Sequence, residues 1–167
     1  MLNYLWLIIA AALVGVDQLI KFWAENTLQQ VGSIPVIENI FHLTYVQNFG
    51  AAFSSMQNQR LLLVGLTSVM LVVILVLLVM RKIRSPWLVA SFSLILAGGL
   101  GNLIDRIFRQ GGYVVDLFDF CLIHFPVFNF ADVCVCCGTG LLILYLLFIE
   151  RNEHQKFAIS QEVKRHE

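Results

Sequence analysis

The sequence predicts an all-α membrane protein with four transmembrane helices, N and C termini in the cytoplasm, and a small extracytoplasmic β-sheet between the first and second helices. Three observations carry this. Apolar residues make up 59% of the 167 and charged residues 13%, against about 45–50% and about 25% in ordinary soluble domains. Four apolar stretches reach the length of about 20 residues that a helix needs to cross the hydrocarbon core. Basic residues divide unevenly between the two ends of those stretches.

The spans take residues 5–23, 61–80, 86–104 and 130–149, and the second contains no charged residue. The first lacks the basic start and the clear small-residue cleavage site of a removed signal peptide, so it reads as a retained helix. Four spans put both termini and the 81–85 connection on one side. Arg81, Lys82, Arg84, Arg151, Lys156, Lys164 and Arg165 lie there, while Lys21, Arg60, Arg106 and Arg109 lie toward the other. That bias places the termini inside. Residues 1–150 form a single membrane domain, and 151–167 a polar, solvated tail with no chemistry of its own. The zero formal net charge argues against a nucleic-acid partner.

Two loops then face outward, 24–60 and 105–129. In the first, Phe41, Leu43 and Tyr45 alternate with His42, Thr44 and Val46, a period of two that predicts strand. Gly32 and Pro35 punctuate its start. A small sheet lying against the membrane surface follows. The second loop opens with the turn signal "RQGG" and becomes apolar, so it lies at the interface or packs on the spans. The two loops end "FHLTYVQNFGAAF" and "FCLIHFPVFNFAD". This echo motivates the hypothesis of a duplicated two-helix hairpin, which superposition of the two halves checks.

Charged side chains at the centre of a spanning helix cost about 2.5–3.5 kcal/mol on insertion scales. Here they sit at the outward ends of the spans. Asp17 and Lys21 are four apart with the acid first, the favourable order on one helical face. They read either as a neutralised pair easing the helix out of the membrane or as a strut beside a site. Asn102 and Asp105 share a face after Gly98, Gly99 and Gly101, a small-residue packing seam with a polar exit. Those glycines follow a helix rather than a strand, which argues against a phosphate loop. Arg106 either snorkels to headgroups or fixes a carboxylate. Asn129 can cap the fourth span with Asp132 at its third position, where an acid also suits the helix dipole. Asp116 lies between Val114-Val115 and Leu117-Phe118 with no basic residue nearer in sequence than Arg109, which makes it a functional candidate. Asp119, three residues on, shares a face with Asp116 if this segment is helical, and otherwise reads as a second, surface acid.

Cys134, Cys136 and Cys137 form one clump without the second ligand pair of a zinc site, so helical packing is their expected use. Cys121 and Cys134 are expected to stay unbridged. Intramembrane acids also occur in proton-coupled transporters. Four spans are few for that class, the acids sit at one face, and no helix breaks in mid-membrane. A purely structural subunit leaves Asp116 without a use.

Five stretches occur in one order: "DQLIK" at 17–21, "NFGAAF" at 48–53, "GGLGNLIDR" at 98–106, "VVD" at 114–116 and "FNFAD" at 128–132. In these the chain resembles the lipoprotein signal peptidases (signal peptidase II), aspartyl proteases of the bacterial cell membrane. The resemblance implies that Asp116 and Asp132 are the catalytic pair. It implies that Asp17, Lys21, Asn48, Gly50, Asn102, Asp105, Arg106, Asn129 and Ala131 support the site or hold substrate. It further implies an inner-membrane, multi-pass protein with its active site at the extracytoplasmic face, working as a monomer among membrane lipids. The implied substrate is a diacylglyceryl-modified prolipoprotein, cut just before the lipidated cysteine. No cofactor and no metal is expected. Val133 stands where the family often has a small polar residue, and the loop between the two aspartates is short.

Overall fold

The computed structural model describes residues 2–50 and 60–149. Residues 51–53 of "NFGAAF" and the tail 151–167 lie outside the described residues. Among the described residues, four helices are long and apolar enough to cross a membrane. They are α1 (Leu2–Val31), α2 (Arg60–Val79), α3 (Pro86–Phe108) and α4 (Phe130–Leu144), the last prolonged by a π-helical turn at Tyr145–Ile149. Strands β1 (Ser33–Ile37) and β2 (Phe41–Asn48) follow α1, and β3 (Val114–Asp119) follows α3.

Helix α3 packs against each of the other three helices and is the most buried of the four. On one side Val89, Leu96 and Leu103, spaced by seven, meet Leu71, Ile74 and Leu78 of α2. Toward α4 the face is made of small residues. The Ser91 hydroxyl donates to the Gly138 carbonyl across 2.7 Å. A Cβ at Gly98 would collide with the backbone carbonyl of Ala131 and lie 2.7 Å from Val135 Cγ2. The glycines are therefore the seam expected of close helix packing in lipid. Because a backbone atom blocks the way, Gly98→Ala is expected to cost about 1–3 kcal/mol, read as a lowered thermal midpoint in detergent micelles. An unchanged midpoint would mean that the seam is looser than its geometry.

Helix α1 does not end near Trp23. It continues for two more turns, and Ala24 and Leu28 on that extension are buried against Val115 and Leu117 of β3. The sheet therefore has its apolar face on protein, on the projecting end of α1. It also has a third strand. The order is β1-β2-β3, antiparallel throughout, so the sheet is not confined to the connection between α1 and α2. The alternation of 41–46 marked β2, but β3 shows none because Val114, Val115, Asp116 and Leu117 are all buried. A strand covered on both faces reads as a continuous apolar run. The "RQGG" turn that launches β3 needs its glycines. Gly111 and Gly112 hold φ of 82° and 72°, a region costly for residues with a Cβ.

The two echoing loop endings take different forms. Residues 41–48 are strand, whereas 121–123 form a 3-10 turn and 130 begins α4.

Candidate active site

Register in the sheet fixes the first acid. Asp116 lies opposite Val46, and Asn48 opposite Val114. Residues two apart on a strand share a face, so Asn48 is a diagonal neighbour of Asp116. Asn48 Nδ2 donates to Asp116 Oδ2 across 2.9 Å, and its Oδ1 accepts the Gly50 amide at 2.9 Å. Asn129 Nδ2 donates to Asp116 Oδ1 at 2.6 Å. Asp116 is thus buried between two amides, and among the described residues no cation forms an ion pair with it. Burial, chiefly, pushes its carboxyl up to about 6. The two amide donors and Lys21 work against that rise, and the charge of Asp132 adds to it.

Capping fixes the second acid. Asn129 and Asp132 form a reciprocal capping box at the start of α4. The Asp132 amide donates to Asn129 Oδ1 at 3.0 Å, and the Asn129 amide to Asp132 Oδ2 at 3.1 Å. The other oxygen, Asp132 Oδ1, accepts from Asn102 Nδ2 at 2.8 Å. Asp132 therefore serves as a cap and faces α3 together. Asn102 Oδ1 accepts from both Lys21 Nζ at 2.9 Å and Asn129 Nδ2 at 3.1 Å. An ammonium can only donate, so Lys21 fixes the orientation of the Asn102 amide and leaves Nδ2 for Asp132. Asp116 and Asp132 are consequently joined through Asn129 and Asn102.

Lys21 is fully buried and contacts Asp17 and Asp105, both at 2.9 Å. It is more than half of a neutralised pair. It ties α1 to α3, and through Asn102 to Asp132. Asp17 Oδ1 accepts the Ala131 amide at 2.9 Å, which anchors the first turn of α4 to α1. Asp105 Oδ2 accepts the Val115 amide at 3.3 Å, which anchors the strand beside Asp116. Among the described residues Arg106 forms no ion pair with a carboxylate. Its Nη2 donates to the Gly50 carbonyl at 2.8 Å and its Nη1 to the Asn102 carbonyl at 3.3 Å. Asp119 accepts from Thr44 Oγ1 at 2.9 Å and takes no part in the cluster.

All eleven residues singled out from the sequence converge here. Asp116, Asp132, Asn48, Asn102, Arg106 and Asn129 line one cavity of about 620 Å³. Asp17, Lys21, Gly50, Asp105 and Ala131 stand behind them. The rest of the cavity wall includes Leu63, Thr67 and Met70 of α2, Val133, Val135, Cys136 and Cys137 of α4, and residues 125–128 before α4.

Several partners escaped the sequence reading. Arg109 contacts Asp105 at 3.1 Å and Glu25 at 2.6 Å, and the Tyr113 hydroxyl donates to Glu25 at 3.0 Å. Burial opposes the charge on Arg109, but Glu25 and Asp105 hold its guanidinium above the usual arginine range. Gln18 Nε2 reaches Asp17, Asp105 and the Gly101 carbonyl at 3.1–3.3 Å. Arg60 caps the end of α3 through the Arg106 and Ile107 carbonyls at 2.7 and 3.0 Å. A signal existed for two of these. Glu25 is four residues after Lys21 and Arg109 four after Asp105, so each lies on the face already marked as functional.

Two carboxylates lining one cavity of a four-span helical protein are compatible with a membrane peptidase. Comparison with known proteins narrows that class. A family model described as signal peptidase (SPase) II matches residues 9–148. The lipoprotein signal peptidase of Clostridioides difficile (strain 630) is 45% identical over 146 residues, covering 87% of this chain and 97% of that protein. The lipoprotein signal peptidase of Streptococcus thermophilus (strain CNRZ 1066) is 46% identical over 145 residues, covering 86% and 92%. A solved bacterial membrane enzyme structure at 2.3 Å resolution superposes with a TM-score of 0.80 at 30% identity, covering 88% of this chain and 90% of that one. The chain belongs to the signal peptidase II family, the lipoprotein signal peptidases, and is an aspartic endopeptidase of multi-pass membrane architecture.

Proposed function

We propose that this protein removes the signal peptide from diacylglyceryl-modified prolipoproteins by cutting just before the lipidated cysteine, with water activated by Asp116 and Asp132. One observation carries this reading: both acids line a single cavity and are bridged through Asn129 and Asn102. Like charges held close cannot both ionise easily, so the pair retains one proton. The ionised member takes a proton from water as the oxygen attacks the scissile carbonyl. The protonated member donates to the carbonyl oxygen. Collapse of the tetrahedral intermediate breaks the C–N bond, and the pair returns a proton to the leaving amine. Burial of Asp116 favours its holding the shared proton, although the two groups titrate as one coupled unit.

The remaining residues position this pair. Lys21, Asp17 and Asp105 lock α1, α3, α4 and β3 together. Asn48, Asn102, Asn129 and Arg106 offer hydrogen bonds to peptide or to the acids, with Gly50 and Ala131 supplying backbone groups. The lipid chains lie along the apolar wall between α2 and α4, continuous with the bilayer. Residues 1–150 act as the catalytic unit in the bacterial inner membrane. The termini and the tail 151–167 lie in the cytoplasm, the acids face the extracytoplasmic side, and the protein acts as a monomer.

Incubation of purified protein with a lipidated and an unlipidated precursor, read by mass, tests the reading. Cleavage of the lipidated form alone, just before the modified cysteine, is expected. Equal cleavage of both would remove the lipid from the recognition. The pH profile gives a second test. Asn48 donates to the ionised form of Asp116, so Asn48→Ala raises the pH at which the shared proton is lost. The alkaline limb of kcat/KM is expected to move up by about one unit. A lowered rate with the limb in place would count against Asp116 as the proton holder.

A further inference from the structure

The "CVCC" run at 134–137 has no part in the chemistry above, and the structure separates its members. Cys134 is buried, whereas Cys136 and Cys137 are exposed and line the cavity that holds the two aspartates. Helical period explains the split. Cys136 lies four residues after Asp132 and Cys137 four after Val133, so each repeats a cavity-facing position one turn deeper. Cys134 falls on the buried side. Six residues into α4, Cys136 sits about 9 Å along its axis from Phe130. Thr67 and Met70 of α2 line the same cavity.

Asp132 and Cys136, one helical turn apart, line the same cavity of about 620 Å³, which has room for a small solute beside both thiols. We propose that Cys136 and Cys137 form a covalent modification site inside the catalytic cavity, taking small uncharged Michael acceptors, and that an adduct there excludes the precursor. The modification rests on the cavity alone, while the exclusion of precursor rests on the functional reading above. The reaction balances without a co-reactant. The thiolate sulfur adds to one alkene carbon, the C=C π bond is lost as the S–C bond forms, and the proton given up by the thiol ends on the neighbouring carbon. No group leaves and no oxidant is needed.

N-ethylmaleimide tests this on the full chain in detergent micelles, in a Cys121→Ser background because Cys121 is itself half-exposed. Peptide mass mapping is expected to find adducts at Cys136 or Cys137 and none at Cys134, with cleavage of the lipidated precursor lost. Cys136→Ser combined with Cys137→Ser is expected to make the rate indifferent to reagent, compared with that variant's own untreated rate. Adducts absent at both positions in the folded protein, yet present after unfolding in detergent, would overturn the site. Adducts accompanied by undiminished turnover would overturn the exclusion of precursor. Should the untreated protein cleave no lipidated precursor, the functional reading fails, and the mass map still decides whether the site exists.

Discussion

Asp116→Asn and Asp132→Asn are each expected to reduce cleavage of a lipidated precursor by about 10³-fold or more, with the protein still folded and inserted. Either change leaves one carboxyl to do the work of two, so water activation and proton donation cannot both occur. The fold survives because the change is isosteric and disturbs few hydrogen bonds. Asp116 accepts from Asn48 and Asn129, and an amide at 116 would turn its own donor toward one of them. Neither partner flips freely, since Asn48 Oδ1 holds the Gly50 amide and Asn129 Oδ1 the Asp132 amide. The cost is about 1–3 kcal/mol, too little to dismantle four packed helices. Initial rates measured by mass, beside circular dichroism in micelles, check both halves of this expectation. Turnover within tenfold of the wild type in either variant would overturn the pair.

The second large effect is on stability. Lys21→Met is expected to destabilise the protein by about 3–5 kcal/mol, because it leaves buried carboxylates without their cation. Asp17 and Asp105 both lie 2.9 Å from Nζ and both are almost fully buried. Asn102 also loses the donor that orients its amide toward Asp132, so turnover falls as well. Adding Asp17→Asn should restore part of the loss, and only part. Asp105 keeps Arg109 at 3.1 Å but still lacks Lys21. Thermal midpoints of the two single variants and the double give the coupling. Simple additivity would mean that Lys21 and Asp17 act independently.

The candidate site residues are visible in the sequence because polar groups stand out against an apolar background. Asp116 drew attention by lacking a partner in its own segment. Its partners, Asn48 and Asn129, come from β2 and from the cap of α4, and no local rule connects those positions. The Asn129–Asp132 box was legible because capping is a matter of residues three apart. Arg106 could not be settled, since its targets are backbone carbonyls at Gly50 and Asn102, and a carbonyl leaves no mark in a sequence.

By itself the sequence determined the four spans, a strand over 41–46, the end of each helix that carries charge, and the cap that starts α4. These depend on apolar length, period and neighbours within a turn. Tertiary structure alone decided that two acids sixteen positions apart border one cavity, that 114–119 completes a sheet, and that Lys21 is shared by two carboxylates. The physical reason is the reach of the interactions. Ala131 meets Asp17 across a separation of 114 residues, a distance closed only because Gly98 and Gly101 bring α3, α4 and α1 close enough for their backbones and short side chains to touch.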